Sequence, residues 1–366
     1  MSEEFIDAAY DVSKAKVVEE AGEDGQKKLD AGDGPLGVDV GTCRIVVSRK
    51  KGRDVVTKNR LNAFFSLPYH KFTQEILERN RVSYFIDSNS LIIIGDASEK
   101  FSVMFNAEVR RPMCEGLLNP QELEGQKIIQ KILETLIEPP DMLGESVCIS
   151  VPAVPPGWEH RLLYHEAILK NYFMSLGYRV KTINEGLAVI LTELAETYFS
   201  GIGISMGGGM CNVCFSYLSL PILTFSIPKA GDYIDHSVAA VMDMLPTEVR
   251  LIKENELDFT HAPRNRVQNA LHIFYDELIY TVLTTLRQEL AKSNKLPQVH
   301  QPIPIVLAGG TAMPRGFLAR FEKVLTEFTF PVPIAGVRLA KDPPTATVRG
   351  SLISAMSEET PFDQIR

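Results

Sequence analysis

The stretch GIGISMGGGMCNVC runs from Gly201 to Cys214 and places three consecutive glycines between two apolar segments. Apolar runs on both sides of a glycine cluster predict a β-hairpin with a tight turn. Because glycine has no Cβ, such a turn can bring several backbone N–H groups close to an anionic ligand. One residue raises a question, since an acid in place of Ser205 would complete a phosphate clamp, and a serine leaves one charge missing.

A second copy of this pattern lies near the start of the chain. Gly37-Val38-Asp39-Val40-Gly41-Thr42 is followed by the apolar run Ile45-Val46-Val47. Each copy is followed by a predicted strand, a loop and a helix: Ser146–Val151 and Gly157–Ser175 in the first half, Pro304–Leu307 and Arg315–Phe328 in the second. Connecting helices are predicted near Gly186–Tyr198 and Thr347–Met356. Strands mixed with crossover helices predict an α/β protein of two related domains that face a cleft.

The repeat predicts the domain boundaries. Residues 35–185 form the first domain, with an inserted subdomain at about 55–105, and residues 186–356 form the second, with an insertion at about 235–300. The inserted regions are those in which the two halves differ most. Residues 1–34 and 357–366 are predicted to be tails, the first acidic and mostly disordered.

Composition excludes several classes of protein. The chain has 366 residues and five cysteines, and 45% of its residues are hydrophobic. Apolar runs stay below about 18 residues, so no membrane insertion is expected. The first residues lack the pattern of a secretory signal, and an odd, sparse set of cysteines indicates free thiols in a reducing cytoplasm.

The net charge is concentrated at the N-terminus. Residues 1–34 carry −6 of the total −8, so the body is nearly neutral. Without a basic surplus, nucleic-acid binding is not expected. Within the acidic segment, Phe5, Ile6, Ala9 and Tyr10 line up as one short helical stripe. Two interpretations remain open, a binding segment for a protein partner or a solvated tail.

Together these motifs resemble the superfamily of actin, heat-shock chaperone and sugar-kinase ATPases. Gly37–Thr42 resembles its first phosphate motif and Ser205–Met210 its second, and Ile305–Met313 is similar to its adenosine motif. Ile183–Gly186 and Thr347–Ser351 resemble the two connecting motifs. Arg110–Gly116 and Lys229–Asp235 are similar to segments of bacterial actins of the MreB and magnetosome-filament types.

The resemblance implies the actin-like ATPase fold, in which two ribonuclease H-like domains surround a nucleotide cleft. It also implies ATP or ADP with Mg²⁺ as cofactors and Asp39 as the residue that orients the metal's waters. It places two acids, Glu159 and Glu185, in catalytic positions, with Glu159 facing the attacking water. The nucleotide-contacting positions that it implies are Asp39, Gly41, Thr42, Ser205, Gly207, Gly208, Gly209, Lys253, Glu254, Gly309, Gly310 and Met313.

The chain departs from the family pattern at the second phosphate motif. Ser205 replaces an aspartate, Met210 replaces a frequent threonine, and Asn212 stands where another acid is common. Losing a carboxylate beside Mg²⁺ removes charge-assisted hydrogen bonds of about 1.5–3 kcal/mol each. Backbone donors can still bind phosphate, so we expect nucleotide binding with slow hydrolysis at most.

Three functions therefore remain open. The first is an actin-like cytoskeletal filament protein of the bacterial type that associates with itself and hydrolyses ATP weakly. The second is a non-polymerising, nucleotide-sensing scaffold of the same fold, a pseudo-ATPase that binds a partner. The third, which Ser205 disfavours, is a small-molecule kinase of the same superfamily.

Overall fold

The computed structural model describes residues 3–19, 28–29, 34–155, 157–294, 296–299 and 301–357. The helices in these ranges are α1 Glu3–Lys14, α2 Lys71–Arg79, α3 Asp96–Phe105, α4 Gly125–Leu136, α5 Glu159–Ser175, α6 Glu185–Glu193, α7 Gly231–Met242, α8 Pro246–Glu256, α9 Arg266–Lys292, α10 Phe317–Leu325 and α11 Ala346–Met356.

The strands in the same ranges are β1 Val17–Glu19, β2 Leu36–Val40, β3 Arg44–Lys51, β4 Asp54–Leu61, β5 Phe64–Pro68, β6 Tyr84–Asp87, β7 Ser90–Ile94, β8 Met113–Cys114, β9 Leu117–Leu118, β10 Ser146–Val151, β11 Arg179–Asn184, β12 Gly201–Met206, β13 Cys211–Tyr217, β14 Leu220–Ile227, β15 Ile303–Ala308 and β16 Ile334–Leu339. Two short 3₁₀ helices lie at Ala195–Thr197 and Gly310–Ala312.

Two mixed sheets that share a five-stranded topology form the body of the protein, and β1 adds a sixth strand at the edge of the first. The first has the order β1-β4-β3-β2-β10-β11 and the second the order β14-β13-β12-β15-β16. In each, a meander of three antiparallel strands is extended by two parallel strands. The central strands β10 and β12 are buried along their whole length, as strands covered on both faces must be. The repeat in the sequence is therefore a structural repeat.

The predicted insertions correspond to two different small units. Between β4 and β8, the chain forms a three-stranded sheet, β5-β7-β6, with α2 and α3. Strand β4 belongs to the first main sheet, so this insertion begins at Phe64 rather than near residue 55. The second insertion is helical and consists of α7, α8 and α9, which contact one another. Helix α9 also packs on β14 of the second sheet.

Helices α6 and α11 connect the two halves. α6 follows β11 of the first sheet and packs on β12 and β13 of the second, whereas α11 follows the second sheet and packs on β2 and β10 of the first. The two helices cross in close contact, because a Cβ on Gly350 would lie 2.0 Å from the Ala188 carbonyl oxygen. Only glycine allows this approach of two backbones.

The N-terminal segment differs from the expected disordered tail. α1 packs against α6 and α11, and β1 pairs in parallel with β4 at the edge of the first sheet. Ala9 and Val12 are fully buried there, so the apolar side of a short acidic helix is covered by α6 and α11. Hydrophobic burial of this face outweighs the tendency of the charged residues to remain solvated. Of the expected tails, residues 1–2, 20–27, 30–33 and 358–366 lie outside the described ranges.

No helix among the described residues is both long and apolar enough to cross a membrane. The cysteines of the described chain are free thiols. Cys211 and Cys214 contribute to the hydrophobic clusters on opposite sides of the second sheet, as expected for strand positions i and i+3.

Candidate functional site

A cleft of about 850 Å³ lies between the two sheets. It is lined by both glycine turns, by the start of α6, by α8 and by the loop after β15. Of the residues expected at the site, those that line the cleft are Asp39, Gly41, Thr42, Glu185, Ser205, Gly207, Gly208, Gly209, Lys253, Glu254, Gly309, Gly310 and Met313. Positions up to about 270 residues apart in the sequence are thus brought to one surface.

The two glycine turns lie against each other. The Thr42 hydroxyl accepts a hydrogen bond from the Gly116 N–H at 3.0 Å. A Cβ on Gly209 would lie 2.1 Å from that same nitrogen and 2.5 Å from Thr42 Oγ1. No larger residue fits at Gly209 without moving the backbone. The second turn therefore contacts the first turn and its supporting loop across the cleft.

Asp39 and Ser205 occupy equivalent positions of the structural repeat. Asp39 pairs with Ser150 on the neighbouring parallel strand, as Ser205 pairs with Ala308. The Ser150 hydroxyl donates to Asp39 Oδ1 at 2.6 Å. Burial raises the pKa of the Asp39 carboxyl to about 6, and the Ser150 hydrogen bond opposes this rise. One turn thus presents an acid where the other presents a hydroxyl.

Glu185 is the second acid that faces the cleft. It is the first residue of α6, and its Oε2 accepts hydrogen bonds from Ser205 Oγ at 3.0 Å and Asn212 Nδ2 at 2.9 Å. Burial and the negative charge of Asp39 raise the pKa of Glu185 to about 8, while its two hydrogen bonds lower it. Without a cation in the cleft, burial and the charge of Asp39 therefore both disfavour the charged form of Glu185.

Asn212 holds this acid cluster to the first half of the protein. Its side-chain oxygen accepts a hydrogen bond from the Ala153 N–H at 3.2 Å and another from Ser226 Oγ. Its amide group donates to Glu185, so the asparagine uses both ends of its side chain. The sequence marked Asn212 only as a missing acid, whereas the structure gives it a positioning contact.

The far end of the cleft contains a buried ion pair. Lys253 Nζ donates to Asp235 Oδ2 at 2.7 Å and to the Gly231 carbonyl at 3.0 Å. Both side chains are almost fully buried. Glu254 is half exposed and lies 4.0 Å from Arg250 Nη1. Lys253 is therefore bound by the protein itself, and a ligand would share its ammonium with Asp235.

Two polar atoms at this end lack partners within the described part of the chain. They are Asp235 Oδ1 and the Tyr275 hydroxyl, both buried. Burial raises the pKa of Tyr275 well above its usual value, so its hydroxyl remains a donor. Buried polar atoms without partners are costly, and a hydroxyl-bearing ligand would satisfy them. Neither residue could be assigned to the site from the sequence, because they lie on α7 and α9 at unrelated spacings.

Glu159 lies outside the lining of the cleft. It is exposed at the first position of α5 and is not among the described residues that line the cleft. Its Oε1 accepts a hydrogen bond from the Gly157 N–H at 3.2 Å, which together with its own N–H lowers the pKa of the carboxyl. This is the behaviour of an acid at a helix N-terminus. The structure thus brings Glu185, and not Glu159, to Asp39.

The donor set is compatible with a nucleotide and a divalent cation. Asp39 and Glu185 are close enough for the charge of one to raise the pKa of the other, and a cation between them would remove that repulsion. Within the described residues, no three acidic, histidine or cysteine side chains form a complete metal site. Asp39 would therefore hold a cation through water and with help from phosphate oxygens, as Mg²⁺ usually requires.

The fold is that of the actin-like ATPases, which solved structures confirm. A MamK double helical filament matches with a TM-score of 0.63 and 20% identity, covering 89% of this chain and 99% of that chain. MreB5 of Spiroplasma citri bound to AMPPNP matches with a TM-score of 0.59 and 14% identity, covering 88% and 96%. EutJ, an ethanolamine utilization protein of Carboxydothermus hydrogenoformans, matches at 0.52 and 16%, covering 87% and 88%.

A family model described as Volactin matches residues 35–355, which is most of the chain and includes both main sheets except β1. The protein belongs to the Volactin family. A comparison with curated proteins finds no match.

Proposed function

We propose that this protein is an actin-like filament protein that binds ATP or ADP with Mg²⁺ and hydrolyses ATP slowly, if at all. The observation that carries the proposal is the contact between the two glycine turns at Thr42 and Gly209, inside a cleft that also contains Asp39. Two turns that present backbone N–H groups to one space suit a polyphosphate. Structures of MamK and MreB5 with AMPPNP or ADP, and the MamK filament, support the nucleotide and the self-association by analogy.

The division of the chain follows from the same proposal. We assign residues 35–185 and 186–356 to the two domains that close on the nucleotide. Helix α11, at the end of the second domain, packs on β2 and β10 of the first. Motion between the domains would then bend α6 and α11 where they cross. A cytoplasmic location is part of this proposal and rests on the free cysteines.

The weak hydrolysis follows from the surroundings of Glu185. Mg²⁺ bound with the nucleotide would neutralise phosphate charge, and Asp39 would hold it from the first turn. Ser205 offers a hydroxyl that donates to Glu185, but it adds no negative charge on the opposite side. Glu185 is the acid able to orient a water. Its Oε2 already accepts hydrogen bonds from Ser205 and Asn212, so it is less available to orient an attacking water.

A non-polymerising, nucleotide-sensing scaffold is the second candidate. The observation that favours it is the same Ser205–Glu185 pair, since a sensor must hold its nucleotide without cleaving it. Light scattering of the purified protein with and without ATP and Mg²⁺ separates the candidates. A nucleotide-dependent rise that sediments as polymer supports the filament protein, and monomeric behaviour with bound nucleotide supports the scaffold.

A further inference from the structure

The N-terminal segment, residues 3–19, lies against the two connecting helices α6 and α11, which we call the hinge. It precedes the region that defines the family, which begins at residue 35. Helix α1 contacts α6, α11 and the 3₁₀ helix Ala195–Thr197, and β1 adds to the edge of the first sheet. One short segment thus touches both connecting helices and elements on both sides of them.

Apolar packing holds α1 on the connecting helices. Ala9 and Val12 have no exposed surface and belong to the hydrophobic cluster that contains Leu191 of α6 and Leu352 of α11. Removing such apolar side chains from water stabilises the contact. Apolar burial thus holds the segment against the two connecting helices.

Polar contacts fix the C-terminal end of the same helix. The buried guanidinium of Arg349, on α11, donates to the Val12 carbonyl, and Lys341 Nζ lies 3.4 Å from the Ser13 carbonyl. Carbonyl groups in the last turn of a helix lack partners within the helix and carry partial negative charge, so cations stabilise them. Arg349 and Lys341 follow the second sheet in the chain and bind this end.

The other side of the segment is attached to the first half. Val17 pairs with Val55 of β4, and the Val55 N–H donates to the Lys16 carbonyl at 3.1 Å. Lys50 Nζ of β3 forms an ion pair with Asp11 Oδ2 at 3.0 Å. The segment is thus bonded to the first sheet at one end and to the connecting helices along its length.

We propose that residues 3–19 act as a brace that docks in the groove formed by α6 and α11 and restrains the rotation of the two halves about the hinge. Because the cleft lies between those halves, the brace also slows release of a bound nucleotide, and this second effect rests on the proposed function. Ala9 of the apolar stripe that the sequence offered to a partner is buried against these two helices, whereas Tyr10 of the same stripe is exposed. Release of the segment frees the hinge, and docking restrains it.

The test compares two full-length variants that add the same charge to α1. Val12→Asp places a carboxylate in the buried contact, and Tyr10→Asp places it where the side chain is 42% exposed. Hydrogen–deuterium exchange followed by mass spectrometry reports on residues 3–19 and, separately, on α6 and α11. We expect Val12→Asp to accelerate exchange in all three helices by roughly tenfold or more, since an unpaired buried charge is strongly unfavourable. Tyr10→Asp should behave like the unaltered protein.

A second readout is the dissociation rate of a fluorescent ATP analogue, which should rise in Val12→Asp alone. Faster exchange in α1 with unchanged α6 and α11 would overturn the brace, and so would unchanged exchange in α1. If no nucleotide binds to the unaltered protein, the proposed function fails while the exchange data still decide the brace. Should Val12→Asp unfold the protein, Val12→Ala applies the same test with a milder loss.

Discussion

The hydroxyl of Ser205 donates a hydrogen bond to Glu185 Oε2 at 3.0 Å, and Thr347 Oγ1 lies 3.4 Å from the same hydroxyl. This contact joins the second glycine turn to the first residue of a connecting helix. It replaces a charge that the resemblance to ATPases leads one to expect at position 205. The chemistry of the cleft therefore depends on what these two residues do together.

Restoring an acid at position 205 should destabilise the protein without a cation and favour hydrolysis when Mg²⁺ is bound. In Ser205→Asp, a second carboxylate beside Glu185 should lower the melting temperature in chelator, because like charges repel. With Mg²⁺ and ATP, the same carboxylate should strengthen cation binding and raise phosphate release by about tenfold, or roughly 1.4 kcal/mol. Ser205→Asn is the uncharged control of similar shape. A rate equal to that of the unaltered protein would show that Ser205 does not limit hydrolysis.

The two acids in question can be separated by substitution. Glu185→Gln should retain nucleotide binding and reduce any phosphate release by about tenfold or more, because the amide cannot accept a proton. Glu159→Gln should leave both unchanged, since Glu159 is exposed outside the cleft lining. Steady-state phosphate release and nucleotide titration on the same samples provide the comparison. The opposite ranking of the variants would restore Glu159 as the water-positioning acid.

Two ion pairs cross the cleft and should slow nucleotide release. Arg111 Nη1 lies 2.9 Å from Asp232 Oδ1, and Arg250 of α8 pairs with Glu99 of α3. Asp232→Asn should accelerate dissociation by roughly threefold or more, consistent with a partly exposed pair worth up to about 1 kcal/mol. Asp96→Asn is the matched control, because its partner Arg44 lies on the same side of the cleft. Stopped-flow chase of a fluorescent nucleotide measures the dissociation rate of both variants. Equal rates would show that the Arg111–Asp232 pair does not limit cleft opening.

Buried His165 should make the folded state sensitive to acid. Burial lowers its pKa from 6.5 to about 4, so in this range the unfolded state binds the proton more readily than the folded state. The His165 contribution is fully present above pH 6.5 and is lost as the pH falls toward 4, by roughly 3 kcal/mol. Denaturant unfolding measures the free energy of unfolding at each pH in this range. In His165→Phe, this free energy should depend less steeply on pH, because the His165 contribution is absent. Leu169→Ala, another buried change in α5, should lower the free energy of unfolding at every pH without changing how it varies with pH. The same pH dependence in all three proteins would contradict the role given to His165.

Much of the architecture could be predicted because the sequence repeats it. The glycine hairpins at Gly41 and Gly208 mark equivalent strand pairs, and their convergence follows from the repeat. Non-local contacts were not predictable in the same way. The charge of residues 1–34 indicated a solvated tail, while the groove that buries Val12 is built from residues about 175 to 340 positions later.

Two assignments at the cleft show the same limit. The resemblance implied a catalytic position for Glu159, but its side chain accepts a hydrogen bond from the Gly157 N–H at the helix start. The pair of Asp235 and Lys253 joins α7 to α8, and no periodicity in the sequence links those positions. Side-chain direction and helix–helix pairing are set by packing, which a single sequence does not display.

The central claim is that the cleft binds an adenine nucleotide between the two glycine turns. Isothermal titration calorimetry of ATP with Mg²⁺ into the full-length protein tests it most directly, with Asp39→Ala and Glu159→Ala measured alongside. The account predicts saturable binding of one nucleotide, weakened in Asp39→Ala by about tenfold or more in the presence of Mg²⁺ and much less in chelator, and unchanged in Glu159→Ala. No binding at millimolar nucleotide, or equal binding by all three proteins, would contradict it.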